Sequence, residues 1–166
     1  MAIYFISGTD TGVGKTAATG WLAKKLTDLG RRAITQKLIQ TGCEGISEDI
    51  IEHRRIMGVE LFDEDKDFTT CKQVLKFPAS PHMVCEMEGV KFDKNSAMET
   101  ARSLSKKYDD VLIEGVGGLM VPLYENYLCA DFAAEFSLPV IIVGTSLLGG
   151  INRALLTFEA CKSRKL

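Results

Sequence analysis

The segment Gly8-Thr9-Asp10-Thr11-Gly12-Val13-Gly14-Lys15-Thr16 follows an apolar run, Ile3 to Ser7, and precedes a stretch with apolar residues at helical spacing. A strand, a glycine-rich turn and a helix in this order are typical of a phosphate-binding loop, because the N–H groups of the turn and of the helix N-terminus attract anions. Lys15 would reach terminal phosphates, and the Thr16 hydroxyl would ligate Mg²⁺. Gly8 and Gly14 enclose five residues instead of the usual four, so the loop is a variant, and a plain strand-to-helix turn is the alternative.

The rest of the chain alternates short apolar runs with amphipathic stretches, which predicts an α/β fold with a doubly wound, mostly parallel sheet of the P-loop NTPase type. Helices are expected on both faces of this sheet. Two polar segments, Gly42–Ser47 and Glu60–Phe77, are interpreted as surface excursions, the second with the acidic cluster Asp63-Glu64-Asp65. The predicted strands are Ile3–Ser7, Ala33–Ile39, Asp110–Glu114 and Pro139–Gly144.

The composition narrows the possible function classes. The 166 residues suit one domain, and 20 basic against 22 acidic residues leave a net charge of −2, which argues against a general nucleic-acid or membrane-surface binder. The five cysteines are an odd number without a CxxC pair, as expected for reduced thiols. The start lacks a basic leader, and the longest apolar run, Leu138–Val143, is too short to cross a bilayer. We therefore expect a cytoplasmic protein.

A second acidic and glycine-rich motif is Asp110-Val111-Leu112-Ile113-Glu114-Gly115-Val116-Gly117-Gly118, an apolar strand that ends in an acid and a turn. If this strand lies beside the first one, Glu114 would be near the phosphates and could hold Mg²⁺ directly or through water. Gly115, Gly117 and Gly118 would let the backbone approach the ligand closely. The alternative is an acidic residue that caps an ordinary turn.

Two further residues are candidates for the same site. Lys37 closes the strand that begins at Ala33, where a cation could neutralise charge on a transferring phosphoryl group; the alternative is a surface lysine with only its stem covered. Asp49 is predicted in the first turn of a helix, where it would stabilise the helix dipole or ligate Mg²⁺ opposite Thr16. Glu48 and Asp10 compete with Asp49 for the metal.

Leu148-Gly149-Gly150-Ile151-Asn152 again joins a strand to a helix through glycines. The free N–H groups of such a helix end could bind a second phosphate or a carboxylate, and a tight turn without a ligand is the alternative. His53 and His82 are isolated from other histidines and cysteines, so neither is interpreted as a metal ligand.

The sequence as a whole resembles the dethiobiotin synthetase family, the ATP-dependent carboxylases of biotin biosynthesis. The resemblance rests on five motifs in the family's order, and the five-residue spacing of the phosphate loop is the family's own form. The motifs are Gly8 to Thr16, Lys37-Leu38-Ile39-Gln40-Thr41-Gly42, Pro78-Ala79-Ser80-Pro81-His82, Glu114-Gly115-Val116-Gly117-Gly118 and Leu148-Gly149-Gly150-Ile151-Asn152.

The resemblance implies a homodimer that converts 7,8-diaminononanoate, CO₂ and ATP into dethiobiotin, ADP and phosphate, through a carbamate and a carbamic-phosphoric anhydride. It implies that Lys37 and Lys15 are catalytic and that Thr16, Asp49 and Glu114 position Mg²⁺. Thr41 would contact the substrate near its amines, and Gly149, Gly150, Ile151 and Asn152 of the other subunit would bind its carboxylate. The implied nucleotide-binding residues are Gly12, Val13, Gly14, Lys15, Thr16, Ala17, Asp49, Glu114, Gly115, Val116 and Gly117.

The sequence departs from the family pattern at a few positions. Thr41 stands where many members have serine, and Leu38 replaces the common proline after the lysine. Residues 1–166 are expected to form a single P-loop ATP-binding domain that lacks the C-terminal strands and the base-recognition loop. The alternative functions are a P-loop partitioning or targeting ATPase switch and another small-molecule phosphotransferase. Asp10 argues against the switch, because those proteins carry a lysine early in the loop.

Overall fold

A four-stranded parallel sheet with the strand order β2-β5-β1-β8 forms the centre of the protein. The structure, a computed structural model, describes residues 1–166. Two short pairs of strands, β3 with β4 and β6 with β7, lie outside the central sheet. The strands are β1 (Ala2–Gly8), β2 (Ala33–Lys37), β3 (Gln40–Thr41), β4 (Val74–Leu75), β5 (Asp110–Gly118), β6 (Pro122–Tyr124), β7 (Tyr127–Leu128) and β8 (Val140–Val143).

Helices cover both faces of this sheet, as the alternating pattern predicts. Successive residues of a strand point to opposite faces, so Phe5 belongs to the larger apolar core, beneath α5 and α6, and Ile6 to the smaller one, beneath α1 and α2. None of the helices combines the length and the apolar character that a bilayer crossing requires. The helices are α1 (Lys15–Asp28), α2 (Glu48–Met57), α3 (Asp63–Lys66), α4 (Pro81–Met87), α5 (Lys94–Lys107), α6 (Cys129–Glu135) and α7 (Gly150–Ser163).

The strand order positions the candidate residues. β5 lies between β1 and β2, and the register pairs Ile6 with Glu114 and Glu114 with Lys37. The carboxyl ends of parallel strands open at the same edge of a sheet, so Lys37, Glu114 and the loop after β1 share one crevice. The fold class predicted from the sequence is confirmed.

The predicted strand Ala33–Ile39 is wrong at its end, because the central strand stops at Lys37. The backbone N–H of Lys37 donates to the Thr70 carbonyl at 2.8 Å, and that of Gln40 donates to the Gln73 carbonyl at 2.9 Å. The segment that contains Thr70 and Gln73 therefore borders the edge of β2 and directs the chain into the separate strand β3. Sequence patterning did not reveal this long-range pairing.

The interpretation of Glu60–Phe77 as a surface excursion is wrong for Asp65 of its acidic cluster, whereas Asp63 is exposed as expected. Asp65 is buried, and both its oxygens accept hydrogen bonds from Arg54 at 2.8 Å, from Nε and Nη2. Phe62 N–H and the Thr70 hydroxyl donate to the same carboxylate. A charged residue is tolerated in a core when it is paired and hydrogen-bonded in this way.

The last helix leaves its apolar stripe largely uncovered. Ile151 is 81% exposed, Leu155 60% and Phe158 52%, whereas Cys161 packs against the larger core. Leu148, which precedes the helix, is fully exposed. The outer side of α7 is thus an apolar surface without a partner within the chain.

Candidate active site

The turn between β1 and α1 has the geometry of a phosphate-binding loop. Gly12 and Gly14 lie in the left-handed region with φ of +73° and +93°, which residues with a side chain rarely adopt. A Cβ atom on Gly8 would lie 2.7 Å from the Asp10 carbonyl oxygen, so the loop also requires glycine there. Gly14 caps α1 without a side chain, and no acidic residue occupies the first turn of the helix. The first N–H groups of α1 are therefore available to an anion.

This loop forms one wall of a cavity of about 470 Å³ at the carboxyl ends of β1, β2 and β5. The structure brings most of the predicted site residues to this cavity. Val13 and Gly115 do not line it, although the Gly115 carbonyl accepts a hydrogen bond from Lys37 at 3.1 Å. The predicted residues in its lining are Gly12, Gly14, Lys15, Thr16, Ala17, Lys37, Thr41, Asp49, Glu114, Val116 and Gly117.

Three side-chain oxygens converge at the floor of the cavity. Thr16 Oγ1 lies 3.1 Å from Asp49 Oδ1 and 3.1 Å from Glu114 Oε1. No three side chains of the types His, Cys, Asp and Glu gather to hold a metal ion anywhere in the structure. Two carboxylates and one hydroxyl nevertheless fit Mg²⁺, which binds hard oxygens and takes its remaining ligands from phosphate and water.

Lys37 is a buried member of this cluster, so the alternative of a surface lysine is wrong. Its Nζ lies 2.8 Å from Glu114 Oε1 and also forms an ion pair with Asp49. Burial alone would lower the pKa of Lys37, but attraction to Glu114 and Asp49 outweighs it and raises the pKa. Burial opposes ionisation of Glu114 as well, yet the Lys37 ammonium and a hydrogen bond from His53 lower its pKa to about 2. Both groups are therefore charged at neutral pH.

Lys15 is nearly buried in the same cavity but has no carboxylate partner. Its Nζ donates a hydrogen bond to the Asp10 carbonyl at 3.3 Å. Burial lowers the pKa of Lys15 below the ordinary value of 10.5, and repulsion by Lys37 adds to this effect. A phosphate placed between the two ammonium groups would relieve their repulsion.

Asp49 alone of the three competing acids lines the cavity. Glu48 is its exposed neighbour on α2. Asp10 is half-exposed, accepts a hydrogen bond from Thr11 N–H and forms an ion pair with Arg153 at 3.5 Å. Glu48 is therefore directed to the surface and Asp10 to Thr11 and Arg153, and neither lines the cavity.

His53 also contacts this site, which the sequence did not predict. The ring is fully buried, with Nε2 at 2.6 Å from Glu114 Oε2 and Nδ1 at 3.0 Å from Thr35 Oγ1. His53 follows Asp49 by four residues on α2, so both lie on one face of the helix. The four-residue spacing of Asp49 and His53 on a predicted helix is therefore the feature of the sequence that could have indicated this contact.

Gly149 to Asn152 do not reach the cavity within one chain. Gly149, with φ +84°, caps α7, and no acidic residue lies in the first turn of this helix. None of these four residues lines the cavity beneath the phosphate loop, and Ile151 is exposed. The second predicted anion site thus lies apart from the first.

The fold and the cavity define a phosphate-loop nucleotide-binding protein. A family profile described as AAA domain matches residues 3–166. The signal recognition particle receptor FtsY from Elizabethkingia anophelis has a similar fold, with a TM-score of 0.53 over 96% of this chain and 47% of that chain, at 16% identity.

Sequence relatives narrow this class. The chain is 50% identical to the ATP-dependent dethiobiotin synthetase BioD of Chlorobaculum tepidum, over 96% of this chain and 66% of that protein. It is 44% identical to BioD 2 of Pasteurella multocida, over 99% of this chain and 77% of that protein. It is 46% identical to BioD 2 of Haemophilus influenzae, over 98% of this chain and 85% of that protein. The chain belongs to the dethiobiotin synthetase family. The resemblance inferred from the five motifs is confirmed.

Proposed function

We propose that the protein uses ATP and CO₂ to carboxylate 7,8-diaminononanoate and close its ring, giving dethiobiotin, ADP and phosphate. The single observation that carries this proposal is the convergence of Lys15, Lys37, Thr16, Asp49 and Glu114 on one cavity beneath the phosphate loop. Relatives named ATP-dependent dethiobiotin synthetase share 44% to 50% of the residues over nearly the whole chain, and the chain spans 66% of the Chlorobaculum tepidum relative.

The phosphate loop would bind the triphosphate of ATP. The backbone N–H groups from Gly12 to Ala17 would surround its oxygens. Val13 would hold the loop beside Gly8. Gly115 to Gly117 would form the opposite wall of the nucleotide site. Lys15, which has no carboxylate partner, would pair with the outer phosphates. Thr16, Asp49 and Glu114 would hold Mg²⁺, which when bound neutralises charge on the phosphate oxygens.

The residues around Lys37 would orient the reacting groups. One amine of the substrate adds to CO₂ and loses a proton to give a carbamate. A carbamate oxygen then attacks the γ-phosphorus and ADP leaves, which forms the carbamic-phosphoric anhydride. The second amine attacks the carbonyl carbon, expels phosphate and loses a proton as the cyclic urea forms. Lys37 would stabilise the charge on the carbamate and the phosphoryl group, and Thr41 would contact the amines.

The far carboxylate of the substrate would bind at Gly149, Gly150, Ile151 and Asn152 supplied by the other subunit of a homodimer. The helix N-terminus there is capped by glycine and lacks acidic residues, which suits an anion.

We also propose that the reaction takes place in the cytoplasm. All five cysteines are free thiols, four of them buried, and none forms a disulfide. A reducing compartment preserves thiols of this kind.

Phosphate release tests the proposal directly. The protein is supplied with MgATP and bicarbonate, and phosphate is measured with 7,8-diaminononanoate, with 8-aminononanoate, which has one amine and cannot close the ring, and with no amine. Steady phosphate release should require the diamine and be accompanied by one dethiobiotin per phosphate. Equal rates without the diamine would contradict the proposal and indicate a nucleotide-switched ATPase.

A further inference from the structure

A continuous set of polar contacts runs from the buried Arg54 to the cavity. Arg54 Nη1 lies 2.8 Å from Thr35 Oγ1, which lies 3.0 Å from His53 Nδ1. The other ring nitrogen, Nε2, is 2.6 Å from Glu114 Oε2. All four side chains are buried, so each of these polar atoms depends on the next one for its hydrogen bond.

The direction of these hydrogen bonds follows from the donors each group has. A guanidinium only donates, so Thr35 Oγ1 accepts from Arg54. His53 Nδ1 is the second partner of the Thr35 hydroxyl. The ionised Glu114 carboxylate can only accept, so His53 Nε2 carries a hydrogen and donates it to Glu114 Oε2. The ring therefore holds Oε2 of the Glu114 carboxylate by a hydrogen bond.

The two oxygens of Glu114 consequently have different partners. Oε2 accepts from His53, whereas Oε1 lies 2.8 Å from Lys37 Nζ and 3.1 Å from Thr16 Oγ1 at the cavity floor. Of the two, Oε1 contacts the Thr16 hydroxyl, which also contacts Asp49 Oδ1. A carboxylate fixed in this way can offer one oxygen to a cation and not two.

We propose that His53 is a positioning residue that restricts Glu114 to one-oxygen metal binding, with Thr35 and Arg54 fixing the ring. This inference rests on the proposed metal role of Glu114. Mg²⁺ binds single carboxylate oxygens in octahedral geometry, whereas Ca²⁺ readily takes both oxygens of one carboxylate. His53 therefore favours Mg²⁺ over Ca²⁺ without touching either cation.

The close packing of α1 on α2 keeps the ring in place. A Cβ atom on Gly20 would lie 3.2 Å from His53 Cα and 3.1 Å from Ile56 Cβ, so the two helices meet almost backbone to backbone at this point. The imidazole thus has little freedom to leave Glu114. Positioning by a partner behind the ligand is a known way to tune a metal site.

Binding of a fluorescent ATP analogue, mant-ATP, tests the inference without turnover. Its affinity is measured with Mg²⁺, with Ca²⁺ and with EDTA, so that the gain in affinity from each cation is obtained for each variant. The matched pair is His53→Gln, whose amide nitrogen reaches the position of Nε2, and His53→Asn, whose shorter amide does not reach Glu114. His53→Leu is a second variant that cannot donate a hydrogen bond to Glu114, and its apolar side chain suits a buried position.

His53→Asn and His53→Leu should lose about tenfold of the Mg²⁺-dependent gain in affinity, the usual loss when a metal ligand is deprived of its hydrogen-bond partner. Their preference for Mg²⁺ over Ca²⁺ should also narrow. His53→Gln should retain both, and the affinity in EDTA should be the same in all variants. Equal Mg²⁺ gains in the Gln and Asn variants would overturn the inference.

Glu114→Gln separates this inference from the proposed function. If Glu114→Gln reduces the Mg²⁺ gain but the His53 variants do not, His53 has no positioning role and the proposed site stands. If Glu114→Gln has no effect on the Mg²⁺ gain, Glu114 is not a metal ligand, and both the proposed metal site and the role of His53 are overturned.

Discussion

Lys37 and Glu114 occupy paired positions at the carboxyl ends of neighbouring parallel strands, and their charged atoms lie 2.8 Å apart in the buried floor of the cavity. Each is 5% exposed or less. A buried pair like this is costly to break, because the remaining charge has no solvent to stabilise it. Its position below the phosphate loop fits the role that we propose for Lys37, which is to stabilise charge on a phosphoryl group.

Replacing Lys37 tests its proposed catalytic role. Lys37→Ala should still bind ATP, since the phosphate loop is untouched, but turnover should fall by about 100-fold or more, the size of losing one preorganised charge-stabilising group. Steady-state dethiobiotin formation and mant-ATP binding measure the two effects. Lys24→Ala, which breaks the half-exposed pair with Asp28 on α1, is the control and should change neither. Unchanged turnover in Lys37→Ala would remove the catalytic role.

Acid should weaken the fold through Glu114. Its pKa falls from 4.5 to about 2 in the folded state, so its contribution to stability is complete above pH 4.5 and is lost as pH falls toward 2. Linkage makes this contribution about 3 kcal/mol. Urea unfolding between pH 6 and 3 measures it, and the free energy of unfolding of Glu114→Gln should depend less on pH in this range. Identical pH dependence in both proteins would contradict the lowered pKa.

The neighbours Arg54 and Arg55 offer a matched test of burial. Arg54→Ala leaves the Asp65 carboxylate buried without its cation, which should cost about 3 to 5 kcal/mol of unfolding free energy. Arg55 pairs with Glu52 on the surface, where its side chain is 72% exposed, so Arg55→Ala should leave the free energy of unfolding almost unchanged. Urea denaturation measures the free energy of unfolding of both variants. Equal losses in the two variants would contradict the conclusion that the Arg54–Asp65 pair is buried and the Arg55–Glu52 pair is not.

The phosphate loop should not tolerate a methyl group at Gly8. A Cβ atom there would meet the Asp10 carbonyl oxygen at 2.7 Å and the Val13 side chain at 2.8 Å, so Gly8→Ala must shift the loop. We expect mant-ATP affinity to fall by about tenfold or more, since loop displacement removes hydrogen bonds to phosphate. Gly144→Ala is the control, because its Cβ would have no neighbour closer than 3.6 Å. Equal affinities in both variants would show that the loop adapts.

Much of the site could be predicted because it depends on local order along the chain. The glycine spacing before Lys15 and Thr16 specifies a strand, a turn and a helix, and an acid after an apolar strand specifies where Glu114 sits. Neighbouring parallel strands then bring Lys37 to the same edge. These steps require only periodicity and the rules of parallel sheets.

The rest depends on contacts between distant segments. Asp65 looks like part of a solvated acidic run, and only packing against Arg54 shows that it is buried. His53 looks isolated because its partners, Thr35 and Glu114, are 18 and 61 residues away in sequence. β2 ends at Lys37, and the chain then pairs in β3 with the distant strand β4. Such pairings between distant segments cannot be inferred from composition or periodicity.

We propose that the phosphate loop places the terminal phosphate of ATP between Lys15 and Lys37 above the oxygens of Thr16, Asp49 and Glu114. A crystal structure with Mg²⁺ and a non-hydrolysable ATP analogue would show where the triphosphate binds. We expect a γ-phosphate in contact with both lysines and Mg²⁺ bound near Thr16, with a single oxygen of Glu114 facing the ion. A triphosphate bound elsewhere, with Lys37 still paired to both carboxylates, would contradict it.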